Sequence, residues 1–317
     1  MAHCAFYQKG RALAYALRAV RPAVLISFRL RRFFRPWGFA PNPHQLFEKS
    51  WTKNFYALRV LELFDMKHIL LIATGGTIAS RKTDQGLTPQ LSPQELLGYV
   101  PDAASLCSID TIQPLNLDST NIRPEHWLLL AKLIEERYDQ YDGFVLCHGT
   151  DTLAYTAAAL SYLIQHTRKP IVLTGSQKPI NMDITDSKTN LLDGFVCACD
   201  GRIPGVQIVF GGAVILGTRA RKTYSKSFGA FSSINYPVLG VVQDNCLVPY
   251  IRPQAQAEPV FYDALNSRVA LLKLIPGASA GQLRFLLDEN DAVILESFGV
   301  GGVPSGETGE FYEVIRK

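Results

Sequence analysis

The stretch ILLIATGGTIAS, residues 69–80, decides the fold class of this 317-residue chain. It begins with five apolar residues that do not alternate with polar ones. Such a run predicts a strand covered on both faces, as in a parallel sheet. Gly75 and Gly76 then end the strand, because glycine tolerates backbone conformations that other residues avoid. Two threonines, Thr74 and Thr77, flank the glycine pair, and a strand end by itself needs no hydroxyl groups.

Strand and helix patterns alternate along most of the chain after Met66. Strand-like apolar runs occur at residues 67–74, 108–115, 142–148 and 169–176, and helical patterns at residues 123–138, 152–166 and 186–199. Ser92 is expected to cap a further helix that starts at Pro93. This alternation predicts an α/β fold with a doubly wound, mostly parallel sheet.

The chain divides into four predicted segments. Residues 1–65 form a basic extension, which carries no Asp or Glu before Glu48. It resembles a transit peptide, while its short apolar run PAVLISF is a second candidate, a signal region, although no small-residue cleavage site follows it. A third interpretation is that Met66 is the true start of the protein. Residues 66–250 are predicted to be the catalytic α/β domain, 251–267 a linker, and 268–317 the start of a smaller α/β domain. We expect that domain to be incomplete, because two strands cannot cover both faces of their sheet.

Composition excludes several classes of function. Removing the eight basic residues of the first 47 positions from the total leaves 24 Lys and Arg against 28 Asp and Glu, so a nucleic-acid footprint is not supported. No apolar run reaches the roughly 18 residues of a membrane span. There is neither a P-loop nor a G-x-G-x-x-G motif after the first strand. The six cysteines show no metal-ligand or disulfide-framework spacing, which favours free thiols in a reducing compartment.

Hydroxyl side chains follow four of the predicted strands. Ligands of open α/β sheets bind at the carboxyl ends of the strands, so residues 74–77, 118–120, 148–152 and 174–176 are the candidate site. A single threonine at a strand end usually caps a helix or forms a turn. No second metal ligand lies at a suitable spacing from His148, which favours a structural role for this histidine. No G-x-S-x-G elbow is present. The remaining hydroxyls, with a carboxylate and potentially a lysine, suit a threonine nucleophile activated by a neighbouring base.

Two segments resemble a known family. ATGGTIAS, residues 73–80, and HGTDT, residues 148–152, are similar to the two signature segments of the bacterial-type L-asparaginases. DSTNIRPEHW, residues 118–127, and residues 141–164 resemble the cytoplasmic type I branch. The segments KPIVLTGSQKP, GTRARKTYSKSFGAFSS and SFGVGGVP match in order and spacing, so the resemblance extends from Met66 to about Val303. It implies the asparaginase fold, with a smaller second α/β domain.

The resemblance also implies roles for individual residues. It makes Thr77 a nucleophile on a mobile loop and places a second hydroxyl, a carboxylate and a lysine beside it, at Thr150, Asp151 and Lys222. It further implies a substrate α-carboxylate at Ser119 and Thr120, an α-ammonium at Asp151, a contact near the amide from Ser176, and backbone N–H groups for an oxyanion at Gly75, Gly76 and Gly149. Taken by itself, Lys222 would be a solvated residue of a basic run, although a partly desolvated lysine can accept a proton.

The implied reaction is hydrolysis of L-asparagine to L-aspartate and ammonia, without a metal or an organic cofactor. L-Glutamine is a second possible substrate, and the family implies a cytoplasmic homodimer or homotetramer whose site is completed by a neighbouring subunit. Two alternatives are the asparaginase-like component of a tRNA-dependent amidotransferase and a non-catalytic amino-acid sensor. The sequence departs from the family at Leu87, where a tyrosine usually activates the loop threonine. Leu87 lies in a predicted loop between Ser80 and Pro89, and we expect it to act as an apolar lid contact.

Overall fold

The computed structural model describes residues 66–83, 86–253, 257–304 and 309–316. For residues 82, 83, 86 and 87 it describes the backbone alone. The roles predicted for residues 1–65 lie outside this part of the chain. Its strands, in chain order, are β1 (His68–Ala73), β2 (Ser80–Thr83), β3 (Gly86–Pro89), β4 (Ser108–Ile112), β5 (Gly143–Cys147), β6 (Ile164–Gln165), β7 (Pro170–Thr174), β8 (Gly205–Phe210), β9 (Ala213–Leu216), β10 (Ala220–Lys222), β11 (Phe231–Ser233), β12 (Gly240–Gln243), β13 (Cys246–Pro249), β14 (Val260–Phe261), β15 (Val269–Lys273) and β16 (Ala292–Glu296).

Seven α-helices accompany these strands in the described ranges. They are α1 (Pro93–Gly98), α2 (Ala103–Leu106), α3 (Pro124–Arg137), α4 (Leu153–Leu163), α5 (Ser187–Asp200), α6 (Ala280–Glu289) and α7 (Glu310–Arg316). The prediction for α1 is confirmed in detail. The Ser92 hydroxyl accepts from the N–H of Glu95, the Glu95 carboxylate accepts from the N–H of Ser92, and Pro93 occupies the first turn.

The central sheet has eight strands in the order β13-β12-β9-β8-β7-β5-β1-β4. Strands β4, β1, β5, β7 and β8 are parallel, and β9, β12 and β13 are added antiparallel to their neighbours. The predicted mostly parallel, doubly wound sheet is therefore confirmed. Four short two-stranded sheets lie outside it: β2–β3, β10–β11, β6–β14 and β15–β16.

The apolar run that forms the first strand is buried on both faces. Ile69 and Leu71 belong to the core on one face of the sheet, and Leu70 and Ile72 belong to the core on the other. All four side chains are 0% exposed. Covering both faces in this way removes the need for alternating polar residues, which is why the run contains none.

Two sequence expectations differ from the structure. The helix predicted over residues 152–166 ends at Leu163, because residues 164 and 165 leave the helix and pair antiparallel with β14. The segment between Ser80 and Pro89, expected to be a loop, forms the β2–β3 hairpin, in which Lys82 lies opposite Leu87. The first difference comes from pairing with a distant segment, and the second from pairing of the two halves of the segment with each other.

The chain separates into two compact units between Tyr262 and Asp263. The second unit pairs β15 and β16 in parallel and has a small core of its own, which consists of Leu274, Ala280, Leu283, Phe311 and Val314. The linker at 251–267, the domain limits and the incompleteness of the second domain stay predictions.

Three further observations concern the described residues only. None of their helices combines the length and apolar character that a bilayer crossing needs. They do not bring three or more His, Cys, Asp or Glu side chains into a group that could hold a metal ion. Cys107, Cys147, Cys197 and Cys199 are free thiols, as expected, whereas Cys246 is disulfide-bonded and departs from that expectation.

Candidate active site

A small polar cleft lies where the segments following β1, β4 and β5 meet. The strands come in chain order β1, β4, β5, but β1 lies between the other two in the sheet. The direction of strand addition therefore reverses at β1, and such a reversal is where open α/β sheets bind their ligands. The cleft is lined by Gly76, Thr77, Ser80, Pro89, Asp118, Ser119, Gly149, Thr150 and Asp151.

A lysine from a distant hairpin reaches the end of β5. The ammonium Nζ of Lys222, the last residue of β10, lies 2.8 Å from Thr150 Oγ1 and 2.7 Å from Asp151 Oδ1. Thr150 is 5% exposed, and the Lys222 side chain is 19% exposed. The Asp151 side chain is more open, at 59% exposed. The predicted threonine, carboxylate and lysine therefore form one contact group.

Glycines allow the three segments to touch through their backbones. Gly76 has φ 79° and ψ −179°, and a Cβ at this position would lie 2.4 Å from the backbone nitrogen of Gly149. A Cβ on Gly149 would lie 2.7 Å from the Ser119 hydroxyl oxygen. Any side chain at either position would push the segments apart. The glycines thus set the distances between the candidate threonines.

The same packing engages one of the three glycine N–H groups that were predicted to donate to an oxyanion. The N–H of Gly76 donates to the carbonyl of Leu117 at 3.0 Å, so it is already used in holding the segment after β1 against the segment after β4. In this structure the N–H of Gly76 is therefore occupied by Leu117, and a role of Gly76 toward an oxyanion stays a prediction. Gly75 has φ 101° and forms a bridge with Leu117, while Gly149 lines the cleft.

The segment after β4 presents one buried and one exposed hydroxyl residue. Ser119 is 3% exposed, lines the cleft, and accepts at its carbonyl from the Thr152 hydroxyl at 2.7 Å. Thr120 is exposed, and its hydroxyl donates to Asp118 Oδ1 at 2.9 Å. The structure thus places Ser119 in the cleft, whereas Thr120 lies outside its lining and serves the local turn.

Ser176 and His148 are both buried. The Ser176 hydroxyl donates to the carbonyl of Lys178 at 2.6 Å, and Ser176 is outside the cleft lining. His148 is 0% exposed, and each of its ring nitrogens has a hydrogen-bond partner, Gly149 O and Thr156 Oγ1. Burial lowers the pKa of His148 to about 4, so the ring is neutral near pH 7. The prediction of a structural histidine agrees with these contacts.

Sequence reasoning left three lining residues without a role: Ser80, Pro89 and Asp118. Ser80 donates to the carbonyl of Gly76 at 2.9 Å, and Asp118 accepts from the N–H of Thr120 at 2.9 Å. Their residue types gave only a weak indication of a site, because serine, proline and aspartate are common in turns throughout proteins. The side chain of Leu87, expected to act as an apolar lid contact, lies outside the described part of the chain.

Comparisons with known proteins agree with this geometry. The family model "Asparaginase, N-terminal" matches residues 68–254. The L-asparaginase of Thermococcus kodakarensis is 41% identical over 241 residues, which are 74% of this chain and 72% of that protein. L-Asparaginase 1 of Escherichia coli K12 is 34% identical over 76% of this chain and 73% of its own length.

A solved structure and a more distant relative complete the comparison. The thermostable Thermococcus kodakarensis enzyme superposes with a TM-score of 0.72 at 38% identity, covering 78% of this chain and 76% of that one. A glutamyl-tRNA(Gln) amidotransferase component of Methanococcus vannielii is 31% identical over 80% of this chain but only 64% of its own length. The matched family model and the identity to curated relatives show that this chain belongs to the asparaginase family.

Proposed function

We propose that this protein hydrolyses the side-chain amide of L-asparagine to L-aspartate and ammonia through a threonine nucleophile. The observation that carries the proposal is the contact of Lys222 Nζ with Thr150 Oγ1 at 2.8 Å and with Asp151 Oδ1 at 2.7 Å. A threonine hydroxyl is a weak nucleophile and needs a neighbouring base. Family membership supports the same reaction, since the named relatives include L-asparaginases.

The lysine is the group that exchanges a proton with the threonine. In the resting contact Lys222 donates to both oxygens, so it must first release a proton to water before it can accept one from Thr150. It then passes the proton taken from Thr150 to the departing ammonia, and water hydrolyses the resulting aspartyl ester. An α-ammonium arriving at Asp151 competes with Lys222 for the carboxylate, which removes part of what stabilises the lysine charge. The Asp151 side chain is 59% exposed, which leaves its carboxylate accessible to the substrate.

The rest of the cleft orients the substrate. The Ser119 hydroxyl is proposed to bind the α-carboxylate opposite Asp151. Backbone N–H groups at Gly75 and Gly149 are proposed to donate to the oxyanion of the tetrahedral intermediate, and one such donor is worth roughly 10²–10³ in kcat. Ser176 and Thr120, predicted as substrate contacts, take indirect roles in this proposal, because their hydroxyls donate to Lys178 O and Asp118 Oδ1.

Two threonines, Thr77 and Thr150, line the cleft. Thr150 has Lys222 as a proton partner, whereas no residue in the described ranges hydrogen-bonds the Thr77 hydroxyl in the structure. Rapid quench of a single turnover, followed by peptide mass spectrometry, identifies the nucleophile by locating an aspartyl ester on the peptide of Thr77 or of Thr150.

Ammonia release from asparagine and glutamine, measured side by side, tests the proposal. T77A, T150A and K222A should each lower kcat about a thousandfold or more, because each removes a nucleophile or its base. R221A is the matched control, since Arg221 is an exposed basic neighbour on the same strand, and it should leave kcat within about threefold. Unchanged activity in K222A would overturn the proposed role of the lysine.

The same assay separates the alternatives. An amidotransferase component would release ammonia productively only with its partner and tRNA, whereas the proposed enzyme turns over alone. A sensor would bind asparagine, as calorimetry would show, without releasing ammonia. Glutamine differs from asparagine by one methylene, which changes binding by only about 1–3 kcal/mol, so slow glutamine hydrolysis is compatible with the proposal.

We further propose a cytoplasmic homodimer or homotetramer that uses no metal, no organic cofactor, no nucleic acid and no membrane as partner. The resemblance to the cytoplasmic type I branch supports this assembly and location. Light scattering coupled to gel filtration measures the assembly, and activity retained after dialysis against EDTA tests the independence from metals. A monomer with full activity would contradict the assembly proposed.

A further inference from the structure

A hydrogen-bonded chain runs from helix α3 to the peptide that carries Thr150. The indole Nε1 of Trp127 lies 3.0 Å from Thr156 Oγ1, which lies 2.9 Å from His148 Nε2. On the other side of the ring, His148 Nδ1 lies 2.7 Å from the carbonyl oxygen of Gly149. That carbonyl belongs to the peptide bond between Gly149 and Thr150. Four residues from α3, α4 and the end of β5 are thereby connected.

The two ends of this chain fix the direction of every bond in it. An indole N–H can only donate, and a backbone carbonyl can only accept. His148 must therefore donate from Nδ1 to Gly149, so its neutral ring accepts at Nε2. The Thr156 hydroxyl donates to that nitrogen and accepts from Trp127. Every member has the partner it requires, and the opposite tautomer would leave the Gly149 carbonyl without this donor.

Burial makes this arrangement rigid. His148 and Thr156 are both 0% exposed, so water cannot replace a lost partner without opening the core. The neighbouring backbone is constrained as well, because Gly149 packs against Ser119 too closely for any side chain. The Gly149–Thr150 peptide is thus held from one side by the histidine and from another by the segment after β4.

We propose that His148, held in its Nδ1–H tautomer by Thr156 and Trp127, is a positioning residue that sets the Gly149–Thr150 peptide and thereby the placement of the Thr150 hydroxyl against Lys222. It touches no substrate atom. It acts on Thr150 indirectly, because the carbonyl that it holds belongs to the peptide bond that joins Gly149 to Thr150. The proposal rests on the proposed catalytic role of Thr150. It gives a positioning role to Trp127, His148 and Thr156, to which the family resemblance assigned none.

Variants of Thr156 test the proposal without touching the cleft. T156V removes the donor to His148 while keeping the shape of the side chain, and it should lower kcat about tenfold with KM changed less than about threefold, since small displacements of reacting groups cost up to about a hundredfold. T156S keeps the hydroxyl and should remain within about twofold of the parent protein. T167V is the control, because Thr167 is 5% exposed and pairs with Tyr138 at 2.8 Å, away from the cleft.

The tautomer supplies a readout that does not depend on activity. In ¹⁵N spectra of the full chain labelled at histidine, His148 should show a protonated Nδ1 and an unprotonated Nε2, unchanged from pH 8 to pH 5. A protonated Nε2, or a kcat in T156V equal to that in T167V, would overturn the inference. Absence of amidase activity in the parent protein would instead refute the proposed function, and the tautomer would still be measurable.

Discussion

Replacing Gly76 by alanine tests how the candidate site is held together. The residue has φ 79° and ψ −179°, a backbone region essentially reserved for glycine, and occupying it with another residue costs about 1–3 kcal/mol. The added Cβ would lie 2.4 Å from the Gly149 nitrogen and 2.5 Å from its Cα. Both are backbone atoms, which cannot rotate away, and such overpacking costs about a further 1–3 kcal/mol.

The size of the effect on activity follows from the same distances. A contact of 2.4 Å is about 1 Å shorter than the 3.4 Å at which ordinary van der Waals contact begins. The segment carrying Thr77 must therefore move roughly 1 Å from the segment carrying Thr150, and a displacement of that size can cost about a hundredfold in rate. We expect G76A to lose about 2–6 kcal/mol of unfolding free energy and about a hundredfold in kcat.

Urea unfolding followed by circular dichroism, together with ammonia release, measures both quantities. G98A is the matched control, because a Cβ at Gly98 would meet nothing within 4 Å. Gly98 is the last residue of α1, where alanine is up to about 1 kcal/mol more favourable than glycine. If G76A were as stable and as active as G98A, backbone contact between the two segments would not set the site geometry.

Four other predictions concern Ser119, Ser92, His148 and Asp193. S119A should raise KM about tenfold with little change in kcat, because a carboxylate contact acts in the ground and transition states alike, and a change in kcat alone would contradict the substrate orientation. S92A should lose about 1 kcal/mol in urea unfolding through loss of the cap of α1, and equal stability would argue against it. Because burial lowers the pKa of His148 to about 4, the unfolded chain binds a proton below pH ~6.5 that the folded chain does not, so this group lowers stability by up to about 3 kcal/mol as the pH falls to about 4. Asp193 has the opposite effect. Burial raises the pKa of its carboxyl to about 6, so the folded chain binds a proton before the unfolded chain does and gains stability as the pH falls. D193N lacks this gain and should lose more stability between pH 7 and pH 4.5 than the parent protein.

The parts of the fold that local chemistry determines could be predicted from the sequence. The run at residues 69–73 needed no partner to show that it is buried, and Ser92 with Glu95 at the third helical position indicated the start of α1. The end of α4 could not be predicted, because it depends on pairing with Val260 and Phe261, almost a hundred residues later. The β2–β3 hairpin was missed for a different reason: it pairs locally, but its residues are too polar to show strand periodicity.

The candidate site was predictable to the extent that it follows strand ends. Thr77, Ser119 and Thr150 each lie just past a strand that the apolar pattern revealed. Lys222 has no such local signal, because it comes from the short β10–β11 hairpin, and only the family resemblance indicated it. The contacts that use up the N–H of Gly76 and the hydroxyl of Ser176 are tertiary, so no motif could report them.

The lysine that contacts Thr150 follows it by 72 residues, and this separation has a consequence during protein synthesis. At about 5–20 residues per second, a ribosome needs roughly 4–14 s to add that length of chain. Strands β1, β4 and β5 are all made before Lys222, so these parallel strands can pair on the nascent chain while Thr150 still lacks its proposed base. Under the proposed mechanism, hydrolytic activity therefore requires that the β10–β11 hairpin has been synthesised and has docked, so the parallel sheet can form several seconds before the active site is complete.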